Sequence, residues 1–252
     1  MGLGKDRNRR RSGMTKFEKS QANSCKSAVV FIHGQPGEAG EFREVLDRLP
    51  PEVSVVAYDR PGWGSNPMEA SDLDGNAAYL RKLLAAHGVT MAILVGYSYG
   101  SAIALQSAIE CPELIDGLVL IAPVGGPDSI SLLDKVLVSP ARFLRVFRPA
   151  KAWVRVTGAR SRIIESFYTE QVHLKRDLTG LSKGVPSLGL PVELIVGMDD
   201  FFNPLNGTLE LLDSLPNAHM TMLKGKGHLL LAQAPETIAE KIFSMWSEYS
   251  DR

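Results

Sequence analysis

The chain has 252 residues, 28 Lys and Arg against 28 Asp and Glu, 44% hydrophobic and 22% charged residues. This is the composition of a globular protein with enough chain for one sizeable core; it excludes a fibrous or disordered polymer and supplies no charge excess for nucleic acid. No apolar run approaches the roughly 18 residues of a membrane span, and Cys25 and Cys111 make neither a disulfide framework nor a zinc spacing, which fits a reducing, cytoplasmic setting.

Charge is uneven only at the start. Met1 to Lys19 carries seven Lys/Arg against two Asp/Glu, and no apolar segment follows Arg9-Arg10-Arg11 as a secretory signal requires. Residues 1–27 are read as a basic, disordered tail. Ala28 to Ile32 is a near-continuous β-branched run and predicts a central strand, and the spacing of Phe42, Val45, Leu46 and Leu49 predicts a helix. Val53 to Tyr58 reads as the next strand and Ala77 to Ala86 as a helix stopped by Gly88. A strand Met91 to Val95, a helix Ser101 to Ile109 and strands Leu118 to Ala122, Val192 to Val196 and Met220 to Leu223 follow. Pro235 to Trp246 closes the chain as a helix with Pro in its first turn.

This alternation predicts an α/β fold, a mostly parallel central sheet with helices on both faces. Residues 28–124 and 191–252 form the core. The interval 125–190 breaks the pattern: it holds amphipathic stretches (Ile130 to Val138, Ala141 to Phe147, Ile163 to His173) and no strand. A structureless loop of that size is uncommon, so it is read as an inserted helical lid.

Gly96-Tyr97-Ser98-Tyr99-Gly100 lies between a buried strand and a helix. A serine on so sharp a turn is left exposed above the sheet edge, and the flanking glycines supply the room its backbone needs. A hydroxyl is a poor nucleophile near neutral pH, so Ser98 needs a general base, a group to orient it and donors for an oxyanion. His228, in Gly225-Lys226-Gly227-His228 beyond the last strand, is the base; His33, His87, His173 and His219 fit less well by position. Asp200, in Gly197-Met198-Asp199-Asp200, is the leading orienting acid, with Asp199 and Asp128 as rivals. The backbone N–H groups of Gln35 and Tyr99 are expected to form the oxyanion hole, because the glycines of His33-Gly34-Gln35-Pro36-Gly37 allow close backbone approach.

With these motifs in order, the chain resembles the α/β-hydrolase superfamily, specifically its lid-bearing serine hydrolases, over roughly Ala28 to Trp246. His33 to Gly37 is similar to the family's oxyanion loop, and Asp59-Arg60-Pro61-Gly62-Trp63-Gly64-Ser65 to its D-x-P-G-x-G-S loop. Gly197, Asp200 and Pro204 match a G-x-x-D-x-x-x-P pattern that favours Asp200 over Asp199. The resemblance implies an order Ser98, Asp200, His228. A serine at position 98 argues against the aspartate chemistry of haloalkane dehalogenases and epoxide hydrolases. Two departures stand out: Ser101 replaces a frequent second glycine, and no N-terminal hairpin is evident.

The resulting expectation is a cofactor-independent serine hydrolase that cleaves a small carboxylic ester through an acyl-enzyme. No metal or phosphate-binding motif is present; Gly125-Gly126 lacks a following Lys-Ser/Thr. Two alternatives stay open: C–C bond hydrolysis of a dienoic ring-cleavage product, and a non-catalytic ligand-binding or receptor protein on the same fold. Residues 128–190 carry eleven Lys/Arg against five Asp/Glu, with Arg142, Arg145, Arg148, Lys151 and Arg155 at helical spacing. The plain reading is a solvated lid face; the sharper one is contact with an anionic membrane surface or an acidic substrate.

Overall fold

The structure, a computed structural model, describes residues 17–19, 27–125, 159–203 and 205–249, and for 17–19 and 159–161 the backbone alone. Seven strands are described: β1 Phe17–Lys19, β2 Ser27–Ile32, β3 Val55–Tyr58, β4 Met91–Tyr97, β5 Ile115–Ile121, β6 Val192–Gly197 and β7 Ala218–Leu223. They form one sheet in the order β1-β3-β2-β4-β5-β6-β7. β2 to β7 run parallel, and β1 lies antiparallel to β3 with Phe17 opposite Ala57. The tail reading of residues 1–27 therefore does not hold for Phe17–Lys19, which cover the β3 edge. Three residues are too few to show an alternating pattern, so this strand carries no period of its own.

The longer helices are α1 Leu73–Ala86, α2 Tyr99–Glu110, α3 Ala159–Gly184, α4 Leu205–Ser214 and α5 Pro235–Tyr249. Asp72 caps α1, its carboxylate accepting the Gly75 N–H at 3.1 Å. The helix expected from Phe42 is short, a 3-10 turn Ala39–Phe42 followed by Arg43–Leu46.

Alternate residues of each strand point to opposite faces, and the core divides accordingly. Val30, Ile32, Leu94, Leu118 and Leu194 pack under α1 and α2. Val29, Phe31, Val95, Val119 and Ile195 pack under Phe42, Val45, Ile238, Ile242 and Trp246 on the other side. The chain thus leaves β2 toward one face and β4 toward the other. Adjacent parallel strands whose connections diverge open a crevice at their C-terminal ends. Ser98 stands at the end of β4 and the His33–Gly37 loop at the end of β2.

Half of the interval read as a lid, residues 126–158, lies outside the described residues, and with it the expected helices Ile130 to Val138 and Ala141 to Phe147 and the basic stripe from Arg142 to Arg155. The described remainder is α3 and a 3-10 turn, Val185–Ser187. The C-terminal half of α3 is core. Leu174, Leu178 and Leu181 are buried with Val185 and Leu188 in the cluster that holds α1 and α2. Leu178→Ala is expected to cost about 2–5 kcal/mol, the range for a truncated buried leucine, read as a lower urea midpoint with unchanged slope.

Candidate active site

Ser98 has φ 52 and ψ −119, a left-handed backbone that a side-chain-bearing residue adopts only where its surroundings compel it. The compulsion is steric. A Cβ on Gly96 would stand 2.6 Å from the Gly100 carbonyl oxygen, and one on Gly100 would stand 2.1 Å from the Ile32 carbonyl oxygen. Strand and helix can turn about one residue only because positions 96 and 100 lack side chains. Hydrogen bonds hold the turn: Ser98 N–H donates to Ile121 O at 2.9 Å, and the Ser101 hydroxyl donates to Gly96 O at 2.9 Å. The serine that departs from the family pattern is thus buried and bonded.

His228 follows β7 and reaches back over Ser98. Its Nε2 lies 3.2 Å from Ser98 Oγ, and its Nδ1 lies 2.8 Å from Asp200 Oδ2. The other Asp200 oxygen accepts the N–H groups of Phe202 at 2.8 Å and Asn203 at 3.0 Å. One carboxylate oxygen holds its own loop while the other faces the imidazole. That loop is anchored in turn, since Asn203 Nδ2 donates to Ala122 O at 2.6 Å beyond β5. Asp199 points away: its residue is exposed and its N–H donates to Lys226 O at 2.9 Å. Asp128, the remote rival, lies outside the described residues.

The His33–Gly37 loop meets the elbow directly. A Cβ on Gly34 would lie 3.1 Å from Ser98 Cβ and 3.2 Å from Tyr97 O, so Gln35 follows a residue in contact with the serine. The Gln35–Pro36 peptide is cis. Tyr99, the other expected donor, begins α2. The Phe202 ring lies 5.3 Å from the imidazole, and Phe201 and Leu229, next in sequence to Asp200 and His228, are exposed.

Under this surface is a charge cluster that the sequence reading did not assign. Arg60 and Glu170 are both fully buried and ion-paired. Both guanidinium Nη groups donate to Glu170, Nη1 through a very short bond and Nη2 at 3.3 Å. Trp63 Nε1 donates to the same carboxylate at 2.9 Å. Arg60 also donates to the carbonyl oxygens of His33, through Nε at 3.0 Å, and Gly34, through Nη2 at 2.9 Å. Its guanidinium carbon lies 5.5 Å from the Trp63 ring and 5.0 Å from the Tyr99 ring. Burial, aided by the Arg60 charge, holds the His33 imidazole well below its usual range. It is therefore neutral, with Nε2 accepting the Arg60 N–H at 3.0 Å and Nδ1 close to Gly34 O. Burial pushes the Glu170 carboxyl up, against the pull of Arg60.

The signal for Glu170 was present. Ser166, Glu170, Leu174, Leu178 and Leu181 follow one face of α3 and are all buried, so a carboxylate interrupts an apolar stripe and demands a partner. Tyr97 was also missed; its hydroxyl donates to His228 O at 3.1 Å. Among the described residues no group of three or more His, Cys, Asp or Glu is arranged to hold a metal ion, and no helix is long and apolar enough to cross a membrane.

A family model described as "Alpha/beta hydrolase family" matches residues 29–241. A protein of Enterobacter cloacae subsp. cloacae named as a carbamate hydrolase, RutD, is 28% identical, covering 83% of this chain and 87% of its own. A 2-hydroxy-6-oxononadienedioate/2-hydroxy-6-oxononatrienedioate hydrolase of Paraburkholderia phymatum is 30% identical, covering 81% of each. Among solved structures, a thermophilic esterase from Thermogutta terrifontis superposes with a TM-score of 0.71 at 18% identity, covering 89% of this chain and 90% of its own.

Truncating one member of a buried ion pair strands the other charge. Glu170→Ala is expected to destabilise the fold by about 3–5 kcal/mol, as measured by urea titration of the variant beside wild type.

Proposed function

The chain belongs to the alpha/beta hydrolase family, and from that premise we propose that it is a serine hydrolase cleaving a carboxylic ester through an acyl-enzyme. The observation that carries this reading is the unbroken contact from Asp200 through His228 to Ser98, 2.8 Å at Nδ1 and 3.2 Å at Nε2. Ser98 Oγ attacks the ester carbonyl while His228 Nε2 takes its proton, and Asp200 fixes the tautomer and stabilises the imidazolium that forms. The Gln35 and Tyr99 N–H groups receive the oxyanion. His228 then protonates the departing alcohol, and water, deprotonated by the same imidazole, releases the acid. The exposed Phe201, Phe202 and Leu229 favour an apolar acyl or alkyl group.

C–C bond hydrolysis is the second reading, favoured by the 30% identical relative named for that reaction. The name of the RutD relative adds a carbamate to the bonds worth testing. All three place a carbonyl carbon against the same serine. A panel of p-nitrophenyl esters of increasing chain length, a p-nitrophenyl carbamate and a dienoic C–C substrate separates them. The ester reading expects highest kcat/KM on an ester; a dienoic or carbamate preference replaces it. Turnover in no arm, with binding in one, supports a non-catalytic ligand-binding protein.

Ser98→Ala and His228→Ala are each expected to lower kcat by about 10⁴-fold or more, and the double variant by little further, because the residues act as a unit. A fluorophosphonate is expected to label the Ser98 peptide alone, as located by mass spectrometry.

Asp200→Asn is expected to reduce kcat by roughly 10³–10⁴-fold, since an amide there holds the wrong imidazole tautomer. Asp199→Asn leaves the imidazole contact intact and is expected to leave kcat nearly unchanged. Steady-state kinetics of the two purified variants compares them.

A further inference from the structure

We infer that Arg60, held by Glu170, is a positioning residue that aims the Gln35 N–H at the oxyanion. This rests on the serine-hydrolase reading, because that reading makes the Gln35 amide a donor. The coupling runs through one peptide unit. Gly34 C=O and Gln35 N–H belong to the same planar group, so fixing the direction of the carbonyl fixes the N–H. The Gly34 oxygen is held by Arg60 Nη2 at 2.9 Å and is 2.8 Å from His33 Nδ1. The preceding carbonyl, His33 O, is held by Arg60 Nε at 3.0 Å. One guanidinium therefore fixes two consecutive peptides just upstream of Gln35, where a glycine would otherwise leave the backbone free.

The same group touches the other donor's residue, because the Tyr99 ring lies 5.0 Å from the Arg60 guanidinium carbon. A cation donating to Gly34 O also polarises that peptide and makes its N–H a stronger donor. Glu170 supplies what Arg60 needs in order to sit there. It faces both Nη groups and accepts from Trp63 Nε1, so the guanidinium plane has one orientation. Glu170 belongs to α3, 110 residues further along the chain. The geometry of the oxyanion loop is thus set from inside the inserted segment. A lysine cannot replace Arg60, since a single ammonium lacks the planar fork that meets two carbonyls and a carboxylate together.

The test compares wild type, Arg60→Lys, Glu170→Gln and Leu178→Ala by the second-order rate of fluorophosphonate labelling at Ser98. Labelling needs no knowledge of the natural substrate, and the phosphoryl oxygen occupies the oxyanion position. Arg60→Lys keeps the buried charge and Glu170→Gln keeps the shape and one acceptor oxygen, so the two variants perturb the pair differently; melting curves set an assay temperature at which each variant is native. Arg60→Lys and Glu170→Gln are expected to label about tenfold more slowly, short of the roughly 100-fold cost of losing a whole oxyanion donor. On any substrate that is turned over, kcat falls while KM holds. Leu178→Ala, destabilised in the same helix but away from the loop, labels at the wild-type rate. Native Arg60→Lys and Glu170→Gln labelling at the wild-type rate would overturn the inference and leave the hydrolase reading standing. Equal slowing in Leu178→Ala would also overturn it, by assigning the effect to general loosening. A wild type that is not labelled at Ser98 removes the hydrolase reading and this inference with it.

Discussion

The site depends on a close approach of backbone to backbone at the centre of the sheet. α2 begins one residue after β4 ends and lies against the end of β2, at a separation that leaves no space for a side chain at position 96 or 100. Ser98 absorbs the whole change of direction, which is why its φ is positive. Strain of this kind persists only where the surroundings over-determine it. Here two parallel neighbours, β2 and β5, grip the turn from either side, through the Gly100 contact and the Ser98 N–H bond to Ile121 O.

The other groups arrive because parallel strands end on the same edge. His33 follows β2, Arg60 follows β3, Ser98 follows β4, Asp200 follows β6 and His228 follows β7. Each loop is tied to a neighbour rather than left to its own preferences: Asn203 to Ala122, Tyr97 to His228, Ala39 to Asp59. Such supporting contacts hold reacting groups to within fractions of an ångström, which side-chain identity alone does not do.

The sheet was readable because β-branched runs alternate with helical spacing, and six of its seven strands fall where those runs lie. Asp200 could be separated from Asp199 by motif register, and the loop explains the choice, since only one of two adjacent carboxylates can turn inward while the backbone follows its turn. β1 was missed because three residues carry no period, and α4 because Asn206-Gly207 in its first turn reads as a turn signal, although Leu205, Leu209 and Leu212 recur at helical spacing. Arg60 and Glu170 were illegible as a pair for another reason. Periodicity shows which face of a helix is buried, but only the folded chain shows which charge meets it across more than a hundred residues. A buried carboxylate one turn before the Leu174 to Leu181 stripe marks where to look, not what answers it.

A long segment between two strands, such as the one that joins β5 to β6, invites exchange as a unit, as though it rested on a finished catalytic base. α3 does not permit that simple division. Its outer half is the more exposed, as Ile163 and Ile164 illustrate, but a graft must end in a helix that presents a carboxylate to Arg60 and leucines to α1 and α2. A donor segment without that acid would carry its own specificity into a scaffold left with an unanswered buried charge. The seam for chimeras of this chain therefore lies within the helix, on the N-terminal side of Ser166, and not at the ends of the β5–β6 segment.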